Sequence, residues 1–414
     1  MPPWGLMRGI MYHVLSALRS GAPQHTMLPN RRMTESSAVY LSTQSELAAF
    51  CERAASHKVL AVDTEFLREK TYYPRLCLVQ VATSDEIAAV DPILIEDLSP
   101  LAALLEDPSV TKVLHACTQD IEVLLDGMGC VCAPIFDTQL AAAFLGMRQQ
   151  VSYGSLVEAY CGVHLAKAES LTDWSRRPLD EEQLSYAEDD VRYLPGIYER
   201  MMAQLIEKDR LSWLAPEMEA LCDPARVRRD PRDAYLRLKR SGSLTRRQLA
   251  VAREVCAWRE ECAAARDIPR KWVASDEVIV EICKRTPSSV DRLRRVRGTD
   301  QIPEADARRL VKAVARGVAC PAAECPHVTR HARPSAETEG VIDLMYAVLR
   351  LVSERSGVAT QLIATRDDLM DFLTDRDHAR LATSWRWELA GHTLDRLLSG
   401  EVGLTVKEGR IELL

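Results

Sequence analysis

No apolar run in the sequence approaches the ~20 residues a bilayer-spanning helix needs, so no transmembrane segment and no membrane partner is expected. A secretory signal is not expected either. The apolar patch Ile10 to Leu18 is interrupted by Tyr12, His13 and Ser16, and no small-residue cleavage signature follows it. Residues 1–36 read as an N-terminal extension: either a disordered tail or upstream translation from a start codon placed too early, Met33 opening a more ordinary beginning. The twelve cysteines lack the pairing and spacing of a disulfide framework, and Cys77, Cys256 and Cys283 sit in apolar patterns. Buried thiols in a reducing cytoplasm are expected instead. Cys320, Cys325, His327 and His331 put four possible zinc ligands within twelve residues, but without the intervening loop of a finger. They form either a zinc site or a proline-containing linker with incidental thiols. Heptads and exposed strand-edge signals are absent too, which predicts a monomer.

The 414 residues, 47% hydrophobic and 27% charged, have the composition of a soluble globular protein of two or three domains. The net charge of −7 argues against a polyanionic partner until its distribution is read. Between Arg226 and Arg316 there are 24 basic and 13 acidic residues, against 29 and 47 elsewhere. A basic module joined to an acidic one points to nucleic-acid binding.

Residues 37–147 alternate β-type runs with helical patterns: Val59 to Phe66, Leu76 to Thr83, Ile87 to Val90 and Val110 to His115 as strands, Leu101 to Leu105 and Gln119 to Leu125 as helices. This alternation predicts an α/β domain with a helix-flanked central sheet. Helices dominate from Ser152, including a long one from about Asp180 to Lys208. Prolines and arginines at Asp223 to Asp233 mark a linker, and Leu244 to Arg316 is helical with breaks at Pro269, Pro287 and Gly298. After a second proline-containing linker, helix is predicted from Glu337 to the C-terminus. The expected division is 37–215, 242–317 and 335–414, with linkers 216–241 and 318–334.

Val59 to Phe66 reads V-L-A-V-D-T-E-F. Strand period two puts Asp63 and Glu65 on one face, where two carboxylates repel unless the strand end is solvated or a cation with hard oxygen ligands compensates. Three further stretches carry suitable groups. In L-H-A-C-T-Q-D-I-E-V-L-L, Asp120 opens a helix, a position the helix dipole favours for an acid. In Q-L-S-Y-A-E-D-D-V-R-Y-L, Tyr186 and Asp190 are stacked at i and i+4 and could hold a water between them. In L-T-D-W-S-R-R-P, an aromatic and the pair Arg176 and Arg177 suit phosphate contact and base stacking.

Asp-x-Glu on a strand, His-x4-Asp at a helix start and Tyr-x3-Asp on a late helix resemble the tyrosine subclass of DEDD 3′–5′ exonucleases. With D-T-E-F-L-R-E-K-T-Y-Y-P-R-L-C-L-V-Q, F-D-T-Q and L-T-D-W-S-R-R-P-L, the chain is similar to the ribonuclease D family. Ser243 to Gly317, with I-P-R-K-W-V at its centre, resembles the HRDC domain that follows the nuclease in that family, and 335–414 occupies the place of a second, HRDC-like domain. The resemblance implies an α/β ribonuclease H-like exonuclease domain, a mixed central sheet flanked by helices, followed by one or two all-α HRDC-type domains. It also implies two divalent ions, Mg²⁺ or Mn²⁺, on Asp63, Glu65, Asp120 and Asp190. Asp63 would bridge the ions, Glu65 and Asp190 would complete the first site, and Asp120 would hold the second. Asp189 is an alternative ligand that misses the Tyr-x3-Asp spacing, and Asp137 reads as structural.

The implied activity is 3′–5′ removal of nucleotides from RNA, releasing 5′-mononucleotides, with tRNA precursors carrying 3′ tails as partners. Tyr186 would orient the attacking water, since a phenol with a pKa near ~10 is a poor base at neutral pH. His115, Arg176, Arg177, Arg270, Lys271 and Trp272 are the candidate RNA contacts, Trp272 being alternatively an anchor of its module's core. Two other readings stand beside this one: the same chemistry on DNA, and a non-catalytic nucleic-acid-binding HRDC protein.

Overall fold

The structure, a computed structural model, describes residues 38–165, 172–228, 230–326 and 335–414. The expected extension at 1–36 lies outside them. Two compact units are present, and the chain passes between them more than once. The first holds the described residues up to Glu65, then Cys77–Cys222 and 335–414. The second holds Phe66–Leu76 and 223–326.

The first unit is built on a six-stranded sheet of β1 (Val39–Leu41), β2 (Val59–Leu67), β3 (Arg75–Ala82), β4 (Ile87–Val90), β5 (Thr111–Leu114) and β6 (Ile135–Asp137). Their order is β1-β4-β3-β2-β5-β6, so β2, the acid-bearing strand, is internal. The β1–β4, β2–β5 and β5–β6 pairs are parallel and β3–β4 is antiparallel. Leu60, Ala61 and Val62 on β2 and Cys77 to Val79 on β3 are fully buried, which matches their near-continuous apolar runs.

Helices α1 (Gln44–Ala54), α2 (Ser99–Glu106), α3 (Thr118–Met128), α4 (Thr138–Leu145), α5 (Tyr153–Cys161), α6 (Glu181–Arg192), α7 (Leu194–Glu207) and α8 (Leu211–Leu221) accompany the sheet. The single long helix predicted from Asp180 to Lys208 is two helices. α6 starts at a capping box of Asp180 and Gln183, and α7 starts afresh after Tyr193 with Pro195 in its first turn. Proline has no N–H to continue the ladder of the preceding helix, and its ring excludes the carbonyl four residues back.

The second unit contains α9 (Arg246–Arg266), α10 (Asp276–Arg285) and α11 (Glu304–Val318) around Trp258, Ile279, Ile282, Leu310 and Val314. A Cβ on Gly317 would meet Cα of Val251 at 2.4 Å, so glycine lets α11 lie directly on α9. Tyr72, from the segment between β2 and β3, belongs to this unit. Its hydroxyl donates to Glu260 (3.0 Å) and its N–H, with that of Tyr73, donates to Asp267 (both 3.0 Å).

The C-terminal segment returns to the first unit with α12 (Ala336–Ser356), α13 (Arg366–Thr374) and α14 (His392–Leu398). Its core is continuous with that of the nuclease elements: Trp385 packs on Phe144 (5.0 Å between ring centroids) and stacks on Trp213 (5.8 Å), and buried Arg386 donates to Glu217 on α8 (2.6 Å). Helix to the C-terminus was the expectation; the chain instead ends in a hairpin, β7 (Leu404–Lys407) and β8 (Arg410–Leu413). The two residues joining them, Glu408 and Gly409, both have positive φ (51° and 77°), the two-residue turn whose twist suits antiparallel strands.

Candidate active site

Strand β2 delivers Asp63 and Glu65 to one side, and α6 brings Asp190 to them. Oxygens from these three carboxylates all lie within 4.8 Å of one another. Asp120 stands outside that tight set, in the first turn of α3 and buried. Its Oδ1 accepts from the Thr64 hydroxyl (2.6 Å).

The turn that places Asp120 is itself held. Ala116, between β5 and α3, has φ 58°, a conformation that costs a residue with a Cβ free energy. The Asp137 carboxylate at the end of β6 accepts from the N–H groups of Ala116 (3.3 Å) and Cys117 (2.9 Å), and also from Gln139 (2.8 Å) and Leu140 (3.0 Å), capping α4. Four backbone partners give Asp137 the structural role expected for it.

The four acids sit in an environment hostile to four negative charges. Burial, and then the charges of Asp120, Asp190 and Glu65, push Asp63 well above the ordinary carboxylate range. Burial, followed by Asp190 and Asp120, raises Glu65 to about 8. Asp190 rises to about 7, chiefly by burial, although the Tyr186 hydroxyl donates to it and opposes the rise. Asp120 rises to about 6 through burial, against the Thr64 hydrogen bond. Such a set of hard oxygen donors is stable as carboxylates only when a cation offsets the repulsion. Tyr186 is raised by burial and then by Asp190, Glu65 and Asp63, so its proton stays on the phenol.

The residues expected to contact RNA fall into two groups. Arg177 is turned into the fold: it pairs with Asp91, whose side chain is 0% exposed, and donates to the carbonyls of Cys77 (2.6 Å), Trp174 (2.8 Å) and Arg176 (2.7 Å). His115 is half-buried, held between the Thr138 hydroxyl (2.9 Å) and the Val151 carbonyl (3.1 Å), and loss of solvation lowers its pKa. Arg176 is exposed, 3.3 Å from Asp173. In the second unit Arg270, Lys271 and Trp272 are exposed; Trp272 is 52% exposed, while Trp258 and Val273 are the buried side chains, so Trp272 is no core anchor. Cys320 and Cys325 are buried there, and the other two members of the suspected zinc cluster, His327 and His331, lie outside the described residues.

Two contributors, Thr64 and Tyr153, were not singled out from sequence, and Trp174, the aromatic of L-T-D-W-S-R-R-P, has another role than the stacking expected of it. Thr64 holds Asp120. Buried Trp174 packs its ring 6.1 Å from that of Tyr186 instead of standing free to stack a base. Tyr153 donates to the carbonyl of Asp189 (2.9 Å), next to Asp190. Only Thr64, a hydroxyl caught between two motif acids, offered a local signal.

A family model described as 3′–5′ exonuclease matches residues 38–206, and an HRDC domain model matches 248–311. The chain is 40% identical to Ribonuclease D of Acidiphilium cryptum (strain JF-5) over 91% of its own length and 97% of that protein's. It belongs to the ribonuclease D family. Ribonuclease D of Granulibacter bethesdensis is 38% identical over 90% of the chain and 96% of that protein. The crystal structure of Escherichia coli RNase D, an exoribonuclease involved in structured RNA processing, superposes with TM-score 0.76 at 31% identity over 88% of the chain and 99% of that protein. The catalytic core of RRP6 from Trypanosoma brucei shares the fold (TM-score 0.54, 24% identity, 72% and 84% of the two chains). As a member of this family, the chain is a 3′–5′ exoribonuclease, a hydrolase of RNA phosphodiester bonds with an HRDC domain.

Proposed function

We propose that this exoribonuclease trims the 3′ tails of structured RNA, tRNA precursors included, using two divalent cations, Mg²⁺ or Mn²⁺, at Asp63, Glu65, Asp120 and Asp190. The observation that carries the proposal is the convergence of the Asp63, Glu65 and Asp190 oxygens within 4.8 Å. The donor set fits such ions: all hard oxygens, buried, with every pKa raised. Asp63, Glu65 and Asp190 would hold one cation, and Asp63 with Asp120 the other. Bound there, the cations supply activation of a water and neutralisation of charge building on the phosphate and the leaving 3′-oxygen.

The remaining work falls to the chain's own side chains. Tyr186 keeps its proton and is fixed at its hydroxyl by the Asp190 carboxylate, to which it donates, and along its ring by Trp174, so its hydroxyl orients the attacking water and does not deprotonate it. Thr64 fixes the rotamer of Asp120. The exposed Arg270, Lys271 and Trp272 would give the HRDC domain sequence-independent, salt-sensitive grip on RNA.

The same proposal includes three modules at 37–215, 242–317 and 335–414, a monomer, and a cytoplasmic location. The location is supported by twelve free cysteines and by the absence, among the described residues, of any helix long and apolar enough to cross a membrane. Incubating the purified chain with a tRNA precursor and with a matched DNA, each with and without EDTA, tests it. The expected result is stepwise loss of 3′ nucleotides from the RNA alone, abolished by EDTA. Equal degradation of DNA, or trimming that survives EDTA, would contradict it.

A further inference from the structure

A cavity of about 570 Å³ lies in the first unit, and none of the four acids lines it. Arg148, Gln149 and Gln150 contribute from the segment after α4, and Tyr346, Arg350 and Gln361 from the C-terminal segment. Its size is in the range of about 300–1,000 Å³ typical of ligand clefts. The lining has two guanidinium groups, three amides and a phenol, and no carboxylate. Among the described residues neither Arg148 nor Arg350 forms an ion pair, although arginines elsewhere in this chain, such as Arg177 and Arg386, are matched with acids. Arg350 instead lies over the Tyr346 ring, 5.6 Å from its centroid. Both guanidinium groups are exposed at this recess and, among the described residues, no acid is brought to either, so both are available to an anion from outside the chain.

The walls are held in place. The Arg210 guanidinium donates to the carbonyls of both Phe144 and Ser356, joining α4 to the end of α12. Gly146, at φ 99°, approaches Gly357 so closely that a Cβ would stand 2.7 Å from its carbonyl oxygen. Gln150 has φ 101°, a strained position for a residue with a side chain, and it faces the cavity. The same segment leads to the acids. The Val151 carbonyl accepts from His115 (3.1 Å) and Gln139 (3.0 Å), and Tyr153 donates to the Asp189 carbonyl (2.9 Å).

We propose that this cavity is a second RNA subsite, which takes a phosphodiester and an adjoining base from the body of the strand whose 3′ end lies at the acids. Planar guanidinium forks match phosphate oxygens, amides match base edges, and the Arg350–Tyr346 pair presents a flat surface for stacking. An acidic peptide would use only the two arginines and leave the amides and the plate idle. The proposal rests on the exoribonuclease reading but is separable from it, because binding is measurable without hydrolysis.

The test is the affinity of the full chain for a labelled long single-stranded RNA in EDTA, as a function of salt. R148A/R350A is expected to weaken binding about tenfold and to reduce the log–log salt slope by about 1.4, the value for two phosphate contacts on a single strand. R148K/R350K should restore the slope but not all of the affinity, since lysine keeps the charge and loses the fork. With divalent cation present, the KM for the long strand should rise more than that for a dinucleotide, whose single phosphodiester cannot occupy the acids and the cavity at once. Unchanged affinity and slope would overturn the subsite, as would equal loss on both substrates with a lowered melting temperature, which marks a structural defect. Binding of labelled polyglutamate that is abolished by R148A/R350A and indifferent to Y346A, with RNA affinity the same in all these chains, would assign the cavity to an acidic peptide and also overturn it. Failure of the wild-type chain to hydrolyse RNA would count against the exoribonuclease reading, while the binding data would still decide the cavity.

Discussion

The Thr64 hydroxyl donates a 2.6 Å hydrogen bond to Oδ1 of Asp120, joining the residue between the two β2 acids to the acid of α3. Removing it frees the Asp120 carboxylate to rotate. Thr64→Val should therefore lower kcat/KM by about 10–100-fold, as loss of a partner behind a metal ligand commonly does, and raise the cation concentration for half-maximal rate. Thr64→Ser, which keeps the hydroxyl, should recover most of the loss. Steady-state rates across a Mn²⁺ titration check both.

Raised carboxylate pKa values fix the sign of a pH dependence. Glu65 near 8, Asp190 near 7 and Asp120 near 6 mean that, above an ordinary value of about 4, the cation-free folded state holds more protons than the unfolded chain. Stability in EDTA should fall as pH rises from about 4 through about 8. Added Mg²⁺ should raise the melting temperature more at pH 8 than at pH 5, because at pH 5 it must displace protons. Thermal denaturation at the two pH values measures this.

Arg177 is expected to matter for folding and not for RNA affinity. It faces an Asp91 carboxylate with no exposure, so Arg177→Ala leaves a buried charge unpaired. The loss should be about 3–5 kcal/mol, visible in denaturant unfolding. Arg176→Ala, at an exposed neighbour, should leave stability within about 0.5 kcal/mol of wild type.

Trp272 makes the opposite prediction. At 52% exposure it contributes little to the HRDC core, so Trp272→Ala should barely change the melting temperature. If it stacks a base, RNA binding should weaken by about 1–3 kcal/mol with an unchanged salt slope, whereas Lys271→Ala should reduce the slope by about 0.7. Fluorescence anisotropy at several salt concentrations separates the two.

Local periodicity made the acids readable: strand alternation pairs Asp63 with Glu65, helical spacing pairs Tyr186 with Asp190, and Asp120 falls where a helix begins. What depended on partners distant in sequence was not readable. Nothing around R-R-P announces that Arg177 meets Asp91, 86 residues earlier, or that His115 is consumed by Thr138 and Val151. The exposed Trp272 and the buried Trp258 are equally aromatic in a list of residues; only packing tells them apart. The terminal hairpin was legible in principle, since L-T-V-K and R-I-E-L flank a Glu-Gly pair suited to a tight turn, but a helical segment upstream masked it. The break between α6 and α7 likewise had its mark in Pro195.

Single-turnover hydrolysis of an RNA with a single-stranded 3′ tail by Asp63→Ala, measured beside its RNA dissociation constant, probes the acid cluster most directly. Release of 5′-mononucleotides should fall by about 10³-fold or more with the dissociation constant within a factor of about two, because Asp63 faces the other three acids and is not among the groups proposed to grip the strand. Hydrolysis retained within about tenfold of wild type would contradict a site built on these carboxylates.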